Sequence, residues 1–462
     1  MASPHLLVLP FPAQGHVIPL MELSHLLVAE GFKITFVNTD FNHDRVVAAL
    51  LNKGGDEEEE ELRGIRLVSV PDGLEPGEDR NNLARLVEGF TTTMAKHLEE
   101  VIRENRESDE EEEKKMTWIV ADVSMGWSFA LAKRMGLRVA VFNPASAGFL
   151  WVMLSIPKMI EDGVINDEGL PIRQEIFQLK PGMPPISTLE FPWNKAGDAK
   201  AQKTFYKYIV HNNQAVNPAE IIVSNSFHEL ESSTFTHFPK ILPIGPLLAG
   251  EWFEKPIGLF WPEDLTCMTW LDEQQSNSVV YVAFGSTTIF DQVQFQELAH
   301  GLELSGRPFL WVVRPDFANQ SSQDWLEQFR ARVSGQGRIV SWCPQQKVLA
   351  HPSIACFLSH CGWNSTMEGV RIGVPFLCWP YFADQFLNQS YICNVWKIGL
   401  KMIPDAKGII TREQVKGKVE ELLRDEEMKK RASMWKEISG RSIKEGGSSY
   451  ENFQKFVKMM RA

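Results

Sequence analysis

Apart from its first residue, His5-Leu-Leu-Val-Leu-Pro-Phe11 is an unbroken apolar run, and behind it Val17–Gly31 repeats apolar residues at helical spacing and stops at a glycine. A short continuous apolar run reads as a strand buried on both faces; a helical pattern closed by glycine reads as one amphipathic helix. Lys33-Ile-Thr-Phe-Val37 then reads as a second strand. A strand, a helix and a strand in this order form a βαβ unit, whose two strands run parallel.

The rhythm continues outward from there. Ile65–Val70, Thr117–Ala121 and Arg138–Phe142 read as further strands, with a helix over Gly126–Met135 closing at Gly136. Gly182–Ala201 is Pro-rich and irregular, and Ile221–Asn225 restarts the strand pattern. Pro243–Pro262 holds four prolines and three glycines with little periodicity, which marks a linker. A second series follows: strands over Val279–Phe284, Phe309–Arg314, Ile339–Cys343, Ile354–Ser359 and Pro375–Trp379, with helical stretches between them and over Arg412–Arg424. The tail, Ser448–Met460, is amphipathic. Alternating strands and helices predict an α/β protein of two doubly wound halves, with ligands at the carboxyl ends of the strands in the cleft between them. We expect an N-terminal domain at 1–245, a linker at 246–262, a second domain at 263–442 and a terminal helix at 443–462.

Composition narrows the function. The chain has 462 residues, 44% hydrophobic and 23% charged, which suits a soluble protein of more than one domain. The net charge is −12, and the runs Asp56–Glu61 and Asp109–Glu113 carry eleven negative charges, so the rest is nearly neutral. No basic face for a nucleic-acid backbone is expected, and the acidic runs read as solvated loops. No apolar stretch is long enough to span a bilayer, and the N-terminus lacks the basic region and cleavage site of a signal peptide. The six cysteines all follow residue 266, mostly beside apolar runs, as reduced buried thiols of a cytoplasmic protein. Cys356, His360 and Cys361 lack a CxxC partner pair, so zinc is not expected.

The strand ends carry the chemistry. The chain has no GxxxxGK[ST], and Gly335-Gln-Gly337 precedes a strand instead of opening a helix, so common phosphate-loop and dinucleotide readings fail. Asp122-Val-Ser-Met-Gly126 has Asp where a nucleophile elbow needs Gly. No DxD pair is present to chelate a metal–diphosphate. His16 stands at the mouth of the first helix and Asp122 closes the strand Trp118–Ala121. A His and an Asp on two strand ends of one sheet are the parts of a general base and its orienting carboxylate. In the second half, the turn at His360-Cys-Gly362 and the helix start Trp363-Asn-Ser365 place backbone N–H groups, Ser365 and His360 around one point. That is an anion site suited to phosphate. Glu368 lies one turn on, where a carboxylate accepts from both hydroxyls of a diol, and Trp342 offers a flat face for a base.

Those residues belong to a longer pattern. From Trp342-Cys343-Pro344-Gln345 through His360-Cys-Gly-Trp-Asn-Ser-Thr-Met-Glu368 to Ala383-Asp384-Gln385, 44 residues, the chain resembles the signature box of plant family 1 UDP-dependent glycosyltransferases in length, order and chemistry. The resemblance extends to Pro10–His16 and Phe284-Gly285-Ser286, and so over essentially the whole chain. It implies a GT-B fold, two Rossmann-like doubly wound domains facing across a cleft, with the acceptor in the first, the UDP-sugar in the second and the last helix returning to the first. It implies that Trp342 stacks on uracil and the Cys343 backbone pairs with its edge. Gln345 and Glu368 would hold the ribose; Ser286, His360, Asn364 and Ser365, around Gly362, the diphosphate; Trp363, Asp384 and Gln385 the sugar hydroxyls. A terminal Gln in this box accompanies glucose, where His accompanies galactose. His16 and Asp122 match the family's catalytic dyad.

The chain departs from the pattern at one place. Where many relatives have Trp-Thr after the strand Val139–Phe142, this chain has Asn143-Pro144. Pro144 cannot make the threonine contact, so Asn143 or Ser146 is expected to replace it beside the acceptor and sugar. The reading as a whole is an inverting transferase that moves glucose from UDP-glucose, a cosubstrate, to a hydroxyl of a small lipophilic plant metabolite, without metal or other cofactor, as a cytoplasmic monomer. Arg80–His97, Asn143–Lys158 and Met183–Tyr208 would line the acceptor pocket, and their Phe, Met, Leu and Trp suit an aromatic or terpenoid molecule. Another UDP-sugar, an N- or C-glycosidic product, or a non-catalytic UDP-sugar-binding module are the alternatives; the last would carry a broken dyad, and here the dyad is present.

Overall fold

The first apolar run is strand β1 (His5–Leu9), buried at all five positions. In the computed structural model, residues 4–51, 64–80, 82–108, 115–247, 260–286, 288, 290–314 and 320–462 are described. The two acidic runs lie outside them, as does most of the expected linker. The chain divides into two compact units, Met1–Trp261 with Ser442–Ala462, and Pro262–Arg441.

In the first unit the strands after β1 are β2 (Lys33–Thr39), β3 (Ile65–Val70), β4 (Met116–Asp122), β5 (Arg138–Asn143), β6 (Ile176–Phe177), β7 (Ile186–Ser187), β8 (Ile221–Ser224) and β9 (Ile241–Pro243). Among the described residues, seven of them form one sheet in the order β3-β2-β1-β4-β5-β8-β9, and every neighbouring pair is parallel. Both faces are covered. Leu7, Leu9, Ile119 and Ala121 face one core, and Leu6, Val8, Trp118 and Val120 face the other. That is why these strands read as continuous apolar runs and not as alternating ones.

The terminal helix Ser448–Arg461 belongs to the second of those cores through Phe456, Val457 and Met460. Each such burial contributes roughly 1.5–3 kcal/mol. Its polar side binds the same unit: Ser449 donates to the Gly245 carbonyl at 2.5 Å and Asn452 to the Pro243 carbonyl at 3.0 Å. The 20 residues read as irregular over Gly182–Ala201 contain β7, which pairs antiparallel with β6, and the start of the helix Ala199–Val216.

The second unit holds β10 (Val279–Ala283), β11 (Phe309–Val312), β12 (Gly337–Val340), β13 (Ile354–Ser359), β14 (Phe376–Cys378) and β15 (Gly399–Lys401). Among the described residues they form a parallel sheet in the order β12-β11-β10-β13-β14-β15. Its aromatic core includes Phe295, Trp311 and Phe329. No helix among the described residues is long and apolar enough to cross a membrane.

The two sheets share one topological feature. In the first, the chain builds β1, β2 and β3 outward and then returns to add β4 on the other side of β1; in the second, β10, β11 and β12 are followed by β13 beside β10. The connections leaving β1 and β4, and those leaving β10 and β13, therefore part in opposite directions. Such a switch point leaves a crevice at the carboxyl ends of the two strands, the usual ligand position in doubly wound sheets.

Candidate active site

At the first switch point, His16 is the third residue of the helix Gln14–Ala29 that follows β1, and Asp122 is the last residue of β4. Nδ1 of His16 lies 2.7 Å from Oδ2 of Asp122. The carboxylate is fully buried and the imidazole is 30% exposed. The Asp122 side chain is set from a second direction, since its Oδ1 accepts the Ser124 N–H at 2.8 Å. With the His16 Nδ1–H directed at a carboxylate, Nε2 is the nitrogen able to take a proton from a bound molecule. The ring leans on Phe11, centroids 5.1 Å apart, and Phe11 meets the buried Phe90 edge-on.

The turn after Asp122 is braced by the helix Ala199–Val216. Tyr208 donates to the Ser124 carbonyl, and the Gly126 N–H donates to Asn212 Oδ1 at 3.1 Å. The sequence reading missed this pair. A Cβ on Gly126 would stand 2.6 Å from Asn212 Oδ1, so the helix approaches the turn as closely as a glycine allows.

Asn143 and Ser146, expected beside acceptor and sugar, are buried and bond within their own unit. Asn143 Nδ2 donates to the Ala145 carbonyl at 2.8 Å and to Ser224 Oγ at 3.1 Å. Ser146, with no exposed surface, caps the helix Ala147–Leu154 by accepting the Phe149 N–H. The buried carboxylate of Glu231 receives the Ala147 and Gly148 N–H groups of the same helix. The segment after β5 is thus built as a helix start, and its polar side chains hold the backbone.

At the second switch point, β10 leads into Gly285-Ser286 and β13 into His360-Cys361-Gly362. Gly285 has φ +68° and Cys361 φ +65°, left-handed conformations that turn the chain sharply beyond each strand. Ser359 Oγ accepts the Cys361 N–H at 3.0 Å and Asn388 donates to the Cys361 carbonyl at 2.9 Å, so the strained turn is held on both sides. Gly362 caps the helix Trp363–Ile372 without a side-chain bond. The first-turn N–H groups at 363–365 precede the helix's own hydrogen-bond ladder and carry its positive end. The Trp363 ring is buried, 6.3 Å from Trp396 between centroids, so its backbone is the part placed to meet a ligand.

His360 is held neutral. Burial lowers its pKa to about 4, and the Arg314 guanidinium pushes the same way. At neutral pH the buried ring therefore carries no charge. Arg314 itself is buried at the end of β11 and donates to the carbonyls of Gly285, at 2.7 Å, and Thr288. It ties the Ser286 turn to the neighbouring strand.

Gln345 and Glu368 meet. Gln345 Nε2 donates to Glu368 Oε2 at 2.5 Å and to Ser365 Oγ at 2.9 Å, while Gln346 donates to the other Glu368 oxygen at 3.3 Å. Burial raises the Glu368 pKa to about 7 against the pull of these amides. Trp342 is half-buried just before Gln345, and its carbonyl accepts the Asp264 N–H; Cys343 is buried beneath. Asp384 and Gln385 begin the helix Gln385–Ser390. Asp384 accepts from Asn388 at 2.7 Å. Gln385 is buried, and its Oε1 folds back to accept the Tyr381 and Phe382 N–H groups at 2.7 and 3.1 Å.

Residues 258–439 match the model of the family described as UDP-glucoronosyl and UDP-glucosyl transferase. UDP-glycosyltransferase 83A1 of Arabidopsis thaliana is 42% identical, the alignment covering 100% of this chain and 98% of that one. The 7-deoxyloganetin glucosyltransferase of Catharanthus roseus is 34% identical over 100% of this chain and 97% of its own. The chain belongs to the plant family 1 UDP-glycosyltransferases. The transferase also superposes on the crystal structure of Os79 from O. sativa in complex with UDP, with a TM-score of 0.80, 26% identity and coverage of 98% of this chain and 100% of that one. Its fold is accordingly GT-B, and both parallel sheets described above are the Rossmann-like sheets of that class.

The transferase has one further buried group beside its Gln345–Glu368 pair that went unread. Tyr281, in the middle of β10, donates its hydroxyl to Gln345 Oε1 at 2.9 Å. A signal was present: a single tyrosine in the aliphatic run Val279-Val-Tyr-Val-Ala283 must find a partner for its O–H inside the core.

Proposed function

We propose that this transferase moves glucose from UDP-glucose to a hydroxyl of a small lipophilic metabolite with inversion at the anomeric carbon. The observation that carries the reading is the 2.7 Å contact between His16 Nδ1 and the buried Asp122 carboxylate. It leaves an oriented imidazole whose protonated form has a charge partner. In the proposed step His16 Nε2 takes the acceptor O–H proton, the oxygen attacks the anomeric carbon, and the bond from that carbon to the diphosphate oxygen breaks, UDP leaving with the electron pair. Asp122 stabilises the imidazolium as it forms. In the other unit, Trp342 and Cys343 would hold the uracil, Glu368 with Gln345 the ribose, and Asp384, Gln385 and the Trp363 backbone the glucose. The charge growing on UDP would meet the N–H groups at the start of the helix Trp363–Ile372, with Ser286, Asn364, Ser365 and the neutral His360 as further donors. No metal or other cofactor enters this scheme.

The relatives support a glucosyl donor and a small hydrophobic alcohol: one is a 7-deoxyloganetin glucosyltransferase and another a (R)-mandelonitrile beta-glucosyltransferase of Prunus dulcis. The six unpaired thiols suit a reducing cytoplasmic setting. The test is a UDP-glucose assay against phenols, flavonoids, terpenoids and hormones, read by mass spectrometry with the anomeric configuration assigned by NMR. Hexosyl adducts with β-linkage are expected. An α-linked product would exclude the single-displacement step, and failure with every alcohol but turnover of an amine would move the reading to N-glycosylation.

A further inference from the structure

Tyr281 is 1% exposed, and its ring stacks on Phe357 of the neighbouring strand, its register partner, with centroids 4.9 Å apart. Packing alone is satisfied by phenylalanine. The hydroxyl is the additional feature, and it is 2.9 Å from Gln345 Oε1 and 3.4 Å from Cys343 Sγ. A primary amide has one oxygen and one NH₂ group, and turning it over exchanges the two. Since the Tyr281 O–H donates to the amide oxygen, the NH₂ must face the other way, where Ser365 Oγ and Glu368 Oε2 receive it. The hydroxyl and the Glu368 carboxylate select this orientation from opposite ends of the amide, and without the hydroxyl the amide oxygen loses this donor. A turned amide would set its oxygen against the Glu368 carboxylate, two acceptors with no hydrogen between them, and Glu368 would have to move.

We propose that Tyr281 is a positioning residue for nucleotide recognition: through Gln345 it fixes Glu368 as the acceptor for the vicinal hydroxyls of a ribose. This rests on the reading of the second unit as the UDP-glucose site. It assigns the tyrosine a role in telling ribose from deoxyribose although it sits behind the residues that would touch either one.

The test uses the full-length protein and two probes, UDP and 2′-deoxy-UDP, with dissociation constants measured by calorimetry. The wild type should bind UDP at least about tenfold more tightly, as expected for one lost hydrogen bond to a charged acceptor. Tyr281→Phe should weaken UDP by about five- to tenfold and change 2′-deoxy-UDP by less than about twofold, so that the preference largely disappears. KM for UDP-glucose should rise in step while kcat changes little. Gln345→Met, which removes the amide at similar volume, should lose the same preference, and adding Tyr281→Phe to it should change nothing further. Equal weakening of both probes by Tyr281→Phe, or full additivity in the double variant, would reduce the tyrosine to a packing role and overturn the proposal. A wild type that does not bind UDP would overturn the donor-site reading and this inference with it, so the two failures are told apart by the first titration.

Discussion

A Cβ placed on Gly362 would stand 2.4 Å from His360 Nε2. The turn beyond β13 therefore has no room for a methyl group beside the imidazole, and a Cβ on Gly285, beyond the other strand, would stand 2.6 Å from the same nitrogen. Gly362→Ala must displace a buried ring or the helix start behind it. Overpacking of this kind costs about 1–3 kcal/mol, so UDP binding should weaken by roughly 5- to 150-fold if the ring moves out of place. Gly335→Ala is the control, because a Cβ there meets nothing within 4 Å. Calorimetry with UDP on both variants decides it; equal affinities would mean that the turn accommodates the methyl elsewhere.

Much of this arrangement is legible in the sequence, and the limits have physical causes. The strand Ile354–Ser359 and the helix Arg412–Arg424 are read with the bounds they have in the structure, because apolar period and flanking residues change together at their ends. β9 and β15 are three residues each, too short to show any period. Spacing places Gln345 and Glu368 on the helices that follow β12 and β13 but says nothing of which way an amide faces; its oxygen accepts from Tyr281, 64 positions earlier. Asn143 and Ser146 bond to their own segment for a related reason. A polar residue after a strand serves a ligand or the backbone equally well in one dimension, and here the helix start needed both.

The buried Glu368 carboxyl gives binding a pH dependence. Burial holds its pKa up to about 7, so the group gains a proton as pH falls through neutrality. A protonated carboxyl has lost part of its capacity to accept from a diol, so UDP-glucose affinity should fall from pH 8 to pH 6 in the wild type and stay flat in Glu368→Gln. Stability runs the opposite way. The unfolded chain releases this proton near 4.5 and the folded one near 7, so folding is favoured at low pH and the advantage is lost as pH rises between the two values. Relative to Glu368→Gln, the wild type should lose on the order of 3 kcal/mol over that window, read by urea unfolding at pH 4.5 and 8.

Gln385 makes two predictions at once. Its oxygen accepts the Tyr381 and Phe382 N–H groups, so Gln385→His should loosen the 381–384 turn as well as alter the sugar contact. Purified enzyme should prefer UDP-glucose to UDP-galactose. The variant should narrow that preference while lowering kcat with both donors. A single hydrogen bond discriminates by about 1–3 kcal/mol at most, so a modest ratio is expected. A wild type that favours UDP-galactose would defeat the donor assignment.

Metal independence follows from the proposed charge acceptors, which are the first-turn N–H groups of the helix Trp363–Ile372 and the neutral His360. Turnover should be unchanged in excess EDTA. Loss of activity restored by magnesium or manganese would require a different account of how UDP leaves.

The dyad carries the most direct test. If His16 is the base, His16→Ala should lower kcat by roughly 10²–10⁴-fold. UDP-glucose affinity should hardly change, because the residues assigned to the donor lie in the other unit. Asp122→Asn should also slow turnover, by less, since an amide can still occupy the place of the carboxylate but offers the imidazolium no charge. The Ser124 N–H that Asp122 accepts gives this variant a second readout: if the turn is disturbed, the melting temperature falls, whereas loss of the charge alone leaves it in place. The double variant should be far from additive, because Asp122 is proposed to act through His16. Acceptors with acidic phenols or thiols should suffer least, as they need least help in losing the proton. The measurements are kcat and UDP-glucose Kd for the two single variants and the double on an aliphatic alcohol and on a phenol. Near-normal turnover of the alcohol by His16→Ala would place the base elsewhere, and the role proposed for Asp122 would fall with it.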